Sequence, residues 1–129
     1  MGMYTELFLQ VQLKEGVPEP ILNTLRFMLG EDVKEEVSPP FESPRWEWML
    51  RSSSHYHYPV AHSFLDYLGY VDRYYLFIRC DFKNYNSEIE SFLKWVSPYV
   101  EPEGEYHYSG HYRYESNVEP TRIVFPHNA

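Results

Sequence analysis

The stretch "YTELFLQVQLKEGVPEPILNTLRFMLGE", residues 4–31, changes its hydrophobic period from two to 3.6 within a few residues. In its first part Leu7, Leu9, Val11 and Leu13 point one way, and Glu6, Phe8, Gln10 and Gln12 point the other. Alternation over this length predicts a strand with one buried face. After "EGVPEP", the residues Ile21, Leu22, Leu25, Met28 and Leu29 recur at helical spacing. Pro18 or Pro20 suits the first turn and Gly30 the position just past the end, so a helix of about three turns follows.

The same pair of signals returns later. In "YYLFIRCDF", residues 74–82, Tyr74, Leu76, Ile78 and Cys80 alternate with Tyr75, Phe77, Arg79 and Asp81. "NSEIESFLKWVSPYV" then offers Ser87 and Glu90 as a capping box, Ile89, Phe92, Leu93 and Val96 as one helix face, and Pro98 as a stop. Between the two units "RWEWMLRS" sets Trp46, Trp48 and Leu50 against Arg45, Glu47, Met49 and Arg51, which reads as a second strand. Residues 52–73 read as a long connection with one helical turn around "HSFLDYLGY". "EYHYSGHYRYE" reads as a long strand and "TRIVF" as a short closing one. The order β-α-β-β-α-β-β predicts a single α+β domain over residues 1–129, a ferredoxin-like sandwich. Its antiparallel sheet has about five strands, the first and third central, with two helices on one face.

Composition narrows the function classes. With 13 Tyr, 8 Phe and 3 Trp the chain is too aromatic for disorder. A net charge of −8 argues against direct nucleic acid binding, which draws on Lys and Arg to neutralise phosphates. Cys80 is the only cysteine, which excludes an internal disulfide and points to a reducing, cytoplasmic compartment. No apolar run reaches the ~20 residues of a membrane span, and no signal peptide is expected. Gly2 lacks the Ser or Thr that a myristoylation motif wants at position 6, where Glu6 stands.

Two histidine-rich stretches invite a metal reading. "SSSHYHYPVAH", residues 52–62, holds His55, His57 and His62, and "YHYSGHYRY", residues 106–114, holds His107 and His111. As a strand, the second places Tyr106, Tyr108, Tyr112 and Tyr114 on one face and His107, His111 and Arg113 on the other, so alternation explains it without a ligand. The first lies in the long connection, where Tyr56 and Tyr58 with His55 and His57 suit an aromatic recognition loop. The metal alternative joins His55, His57 and His107, but a single cysteine and the missing His-Glu-x-x-His pattern leave it without a recognised signature. There is no nucleophile elbow or phosphate-cradling glycine loop, so no catalytic residue is assigned and no cofactor is expected.

With both helices on one face, the other face of the sheet carries Phe8 and Phe77 on the central strands with Arg51 and Arg79 about them, and it takes from the fourth strand either the His/Arg parity, with His111 and Arg113, or the Tyr parity. A mixed aromatic and arginine surface is what protein interfaces are enriched in, so the leading expectation is a non-enzymatic interaction domain that binds a protein partner or a second copy. The alternative is a small phosphate-bearing, nucleotide-like ligand held by Arg51, Arg79, His111 and Arg113. The acidic segments "EDVKEE" and "EPEGE" read as solvated loops, or as a field steering toward a basic partner.

The blocks "RWEWMLRSSS" and "YYLFIRCDFKNYNSEIESFLKWVSPYV", with the terminal "YRYE…EPTRIV", resemble a group of small uncharacterised proteins encoded by phages and mobile elements. The resemblance implies a small accessory protein, one that inhibits a host defence component by binding it. It carries no functional residue.

Overall fold

In the computed structural model, which describes residues 4–53, 61–84, 87–102 and 107–126, two helices and a five-stranded antiparallel sheet share one core. The strands are β1 (Thr5–Gln12), β2 (Phe64–Leu68), β3 (Arg73–Phe82), β4 (Gly110–Tyr114) and β5 (Thr121–Arg122); the helices are α1 (Glu19–Met28) and α2 (Glu88–Val96). The spatial order β2-β3-β1-β4-β5 is the ferredoxin-like one with β5 added outside β4. As expected, β1 and β3 are central. They pair over their lengths from Thr5↔Phe82 to Gln12↔Tyr75, so Leu7, Leu9 and Val11 share a face with Cys80, Ile78 and Leu76. All six side chains are fully buried. Leu22, Leu25 and Met28 of α1, with Ile89, Phe92, Leu93 and Val96 of α2, complete that core.

Both helices end much as the residues dictate. Pro20 sits in the first turn of α1, and Gly30 beyond its C-cap adopts φ +88. There the amide of Glu31 bonds the Arg26 carbonyl at 3.0 Å and Gly30 bonds Phe27 at 3.0 Å, the paired bonds of a Schellman ending. The start of α2 differs from the capping box. Ser87 takes a left-handed φ of 54 and makes no side-chain cap; Asn84 Oδ1 accepts from the Ile89 amide at 3.1 Å instead. Pro98 lies in a 3-10 turn, Ser97–Tyr99, directly after the helix.

Residues 45–51 do not form the second strand. They make turns and a 3-10 segment, Met49–Arg51, with Trp46, Met49 and Leu50 buried. Those three stand at i, i+3 and i+4, a one-sided helical spacing that outweighs the alternation of Trp46, Trp48 and Leu50. Trp48 consequently stays 57% exposed while Met49, assigned by alternation to the open face, enters the core at 1%. The second strand comes from "FLDYL" instead, where a helical turn was expected; it pairs Phe64↔Phe77 through Leu68↔Arg73 across a tight turn with Asp72 at φ 54. The fourth strand is shorter than "EYHYSGHYRYE" suggests: among the described residues it begins at Gly110.

Candidate functional site

The face of the sheet away from the helices follows from register. Phe8 stands opposite Arg79 on β3 and His111 on β4, and Phe77 stands opposite Phe64 on β2. Rings from four adjacent strands therefore meet in a row. Phe64 stacks on Phe77 with centroids 5.1 Å apart and planes at 12°; Phe77 meets Phe8 edge-on at 5.7 Å; Phe8 meets His111 at 5.6 Å. Tyr108 stacks on Phe8 at 6.5 Å, and Arg122 of β5 lies 5.9 Å over the Tyr108 ring. Offset and edge-to-face pairs of this kind add about 0.5–1.5 kcal/mol each beyond the area they bury.

One end of the row is polar. Glu6, only 7% exposed, accepts from Arg113 Nε at 2.7 Å and lies 3.5 Å from His111 Nε2. Because a carboxylate only accepts, the ring proton belongs on Nε2, and Nδ1 is then free to accept from the Tyr108 hydroxyl at 2.6 Å. Burial raises the Tyr108 hydroxyl above its ordinary value, Arg122 pulls it down and Glu6 adds to the rise, so it stays a neutral donor. Asp81, fully buried, pairs in register with Glu6 across β1 and β3. Backbone bonds from His62 N to Arg79 O (2.8 Å) and from Asp81 N to Ser52 O (3.1 Å) pin both ends of the 52–62 connection to the outer edge of β3.

Of the residues expected at the site, Phe8, Phe77, Arg79, His111 and Arg113 share this face. Arg51 does not. Its guanidinium lies 4.5 Å over the Trp48 ring and packs beside Gly30 at the end of α1, on the helix side, because the segment carrying it is a 3-10 turn rather than a strand. The cradle of Arg51, Arg79, His111 and Arg113 is thus not assembled. His55, Tyr56, His57 and Tyr58 lie outside the described residues. His107 approaches the Gln10 carbonyl at 3.4 Å, and among the described residues no group of three His, Cys, Asp or Glu is placed to hold a metal. Cys80 is fully buried, and burial, with Asp81, pushes its thiol far up.

Three members of the site were not anticipated. Phe64 follows from the misplaced second strand; reading "FLDYLGYVDRYYLF" as a hairpin would have found it. Alternation puts Tyr108 on one face with Tyr112 and Tyr114, opposite His111, yet its ring lies against Phe8 and His111. The parity breaks at Gly110, whose φ of +149 no ordinary strand residue adopts. Glu6, an outward polar residue by pattern, turns out to be the buried acceptor for Arg113. No helix among the described residues is long and apolar enough to cross a membrane. Compared with family models, curated proteins and solved structures, the chain matches none, so the likeness to phage and mobile-element proteins rests on the quoted residues alone.

Proposed function

We propose that this chain is a non-enzymatic interaction domain whose open sheet face docks a protein partner in a reducing, cytoplasmic setting. The observation that carries the reading is the unbroken ring row Phe64–Phe77–Phe8–His111, one residue from each of four strands. Both ends of the row are accessible: Phe64 at one is 42% exposed and Tyr108 at the other 40%. A row of rings with charged groups at one end has the anatomy of an interface, with an aromatic centre and a polar rim. A protein partner fits better than an anionic ligand because Arg113 is already engaged by Glu6 and Arg51 lies elsewhere. The chain's charge of −8 favours a partner whose rim is basic.

The test is capture of a partner from cells that encode the protein, followed by reconstitution from purified components and calorimetry. Phe64→Ala and Phe77→Ala should each weaken the reconstituted complex by about tenfold or more, the cost of truncating a ring near an interface centre. Trp48→Ala, which removes a more exposed ring on the helix side, should leave it unchanged. A complex that tolerates both Phe variants would overturn the assignment of this face.

A further inference from the structure

The two edges of the sheet are built differently. β5 is an edge of two residues that follows directly on Pro120, a length and a residue that discourage pairing. β2, at the other edge, is longer and lacks the usual protection. "FLDYL" contains no Lys or Pro, and its pairing with β3 runs unbroken from Phe64↔Phe77 to Leu68↔Arg73, with no bulge. Among the described residues no strand lies outside it.

Backbone alternation decides which groups of this edge are open. His62 N donates to Arg79 O at 2.8 Å, in the register that β2 continues. Bonding in an antiparallel pair repeats at every second residue, so His62, Phe64, Asp66 and Leu68 direct their N–H and C=O groups at β3. Ser63, Leu65 and Tyr67 direct theirs away from the sheet. The side chains of the first set stand on the open face with Phe77, and His62, Phe64 and Asp66 are all exposed.

We infer that β2 pairs antiparallel with β2 of a second copy about a two-fold axis at Phe64, joining two five-stranded sheets into one. A two-fold contact must be self-complementary, so the residues of one strand select the register. An axis at Asp66 sets carboxylate against carboxylate, which disfavours it. An axis at Leu65 sets Phe64 against Asp66 and leaves the charge without a counterpart. An axis at Phe64 sets the two Phe64 rings against each other and Asp66 of each copy against His62 of the other. Arg79 stands beside His62 on β3, so each Asp66 meets a basic neighbourhood. The facing Phe64 residues occupy a non-hydrogen-bonded position, where Cα atoms approach to about 4.5 Å and side chains are closest. Ser63 then bonds Leu65 across the axis and Tyr67 bonds Ala61, which uses the outward groups of all three residues. The contact lies on the edge of the sheet and is tested on the chain alone, so its outcome is independent of whether the open face docks another protein.

Two short strands make a contact at the small end of the interface range, with a dissociation constant on the order of 10–100 μM. Sedimentation equilibrium of the full chain from about 5 to about 500 μM should show the mass rising from one chain toward two. Asp66→Lys sets a cation against His62 and Arg79, and His62→Asp sets carboxylate against carboxylate. Each change acts twice per dimer and should weaken it by about tenfold. Combined in one chain, the two substitutions restore opposite charges at both pairs and should bring association back to within about threefold of the parent. Both positions are exposed, so folding is not at stake. Tyr67→Pro removes an outward N–H while leaving the bonds to β3, and should weaken the dimer about tenfold more than Tyr67→Ala does. A chain that stays monomeric to about 500 μM, a dimer indifferent to the single charge substitutions or not rescued by the two together, or one that tolerates Tyr67→Pro as well as Tyr67→Ala would each overturn the proposal.

Discussion

Gly110→Ala isolates the joint on which the open face depends. A methyl group there would meet the Phe8 carbonyl oxygen at 2.0 Å, the Phe8 carbonyl carbon at 2.9 Å and Leu9 Cα at 3.0 Å, all of them backbone of the central strand β1. No rotamer relieves this, so β4 must retreat by about an ångström. Retreat strains the Gln10–Ser109 bond (2.8 Å) and the Ile123–Gly110 bond (2.9 Å), each worth about 1 kcal/mol net. Alanine must also hold or abandon φ +149, a conformation that costs about 1–3 kcal/mol without glycine. The total is about 3–5 kcal/mol, a large part of the ~5–15 kcal/mol that holds a domain folded.

At about 4 °C per kcal/mol for a chain of this length, the melting temperature should fall by roughly 10–20 °C in circular dichroism. Gly16→Ala is the control. Gly16 also has a positive φ, +75, but a methyl there meets nothing within 4 Å, so only the backbone preference is lost, about 1–2 kcal/mol. The difference between the two variants measures the clash. A Gly110→Ala protein that melts within about 3 °C of the parent would refute the close approach of β4 to β1, and with it the placement of Tyr108 beside Phe8.

Met49→Ala should cost about 2–5 kcal/mol in urea unfolding and Trp48→Ala under about 1, the reverse of what a strand at 45–51 with Trp48 inward would give. Arg45→Ala takes the guanidinium from the fully buried Glu88, which now accepts from Arg45 Nε at 3.1 Å and from its NH2 nitrogen at 2.6 Å and would keep the Ser43 hydroxyl at 3.3 Å; a loss of about 3 kcal/mol is expected, and no loss would mean that the ion pair does not support the fold. Cys80 should resist aromatic disulfide reagents in the native protein and react fully once denatured; native labelling would contradict its burial. Burial, then Glu90, raises the Tyr112 hydroxyl against a smaller pull down from the Thr121 hydrogen bond, and Tyr108 is also raised. With folded values above unfolded ones, their contribution is complete below pH ~10 and is lost as pH rises through the folded values. Phenolate absorbance should therefore include a late component that merges with the early one in denaturant.

Legibility in the sequence followed the depth of burial. β1 and β3 carry uninterrupted apolar parities because one face of each is wholly in the core, and there the pattern leaves one reading. The helices were clear for the same reason. β2 was not, since an edge strand buries little: of "FLDYL" only Leu65 and Leu68 are partly shielded, and Phe64, Leu65 and Leu68 also match a helical stripe. Residues 45–51 misled in the opposite direction, with tryptophans at alternate positions of which only Trp46 is buried. At the site, Phe8 and Phe77 were legible from parity alone. Tyr108 was not, because one glycine conformation reverses its face, and Glu6 was not, because its burial depends on Arg113, which is 107 residues away.

Charge placement favours one of the two proposed uses of the open face over the other. Arg113 donates to Glu6, and Arg73, which follows the same strand parity as Arg79, lies between Glu15 at 3.6 Å and Glu101 at 3.9 Å. An anion arriving at Arg113 must displace a carboxylate that the sheet itself holds in place, giving up a charge-assisted bond worth about 1.5–3 kcal/mol. It would also approach Asp81, buried beside Glu6, and meet repulsion there. An apolar or aromatic side chain from a partner protein meets neither obstacle: it adds to the ring row at Phe64, which is exposed among the described residues. The acidic excess lies largely outside this face, in segments such as residues 31–36, where it acts at a distance on the approach of a partner rather than on the contact.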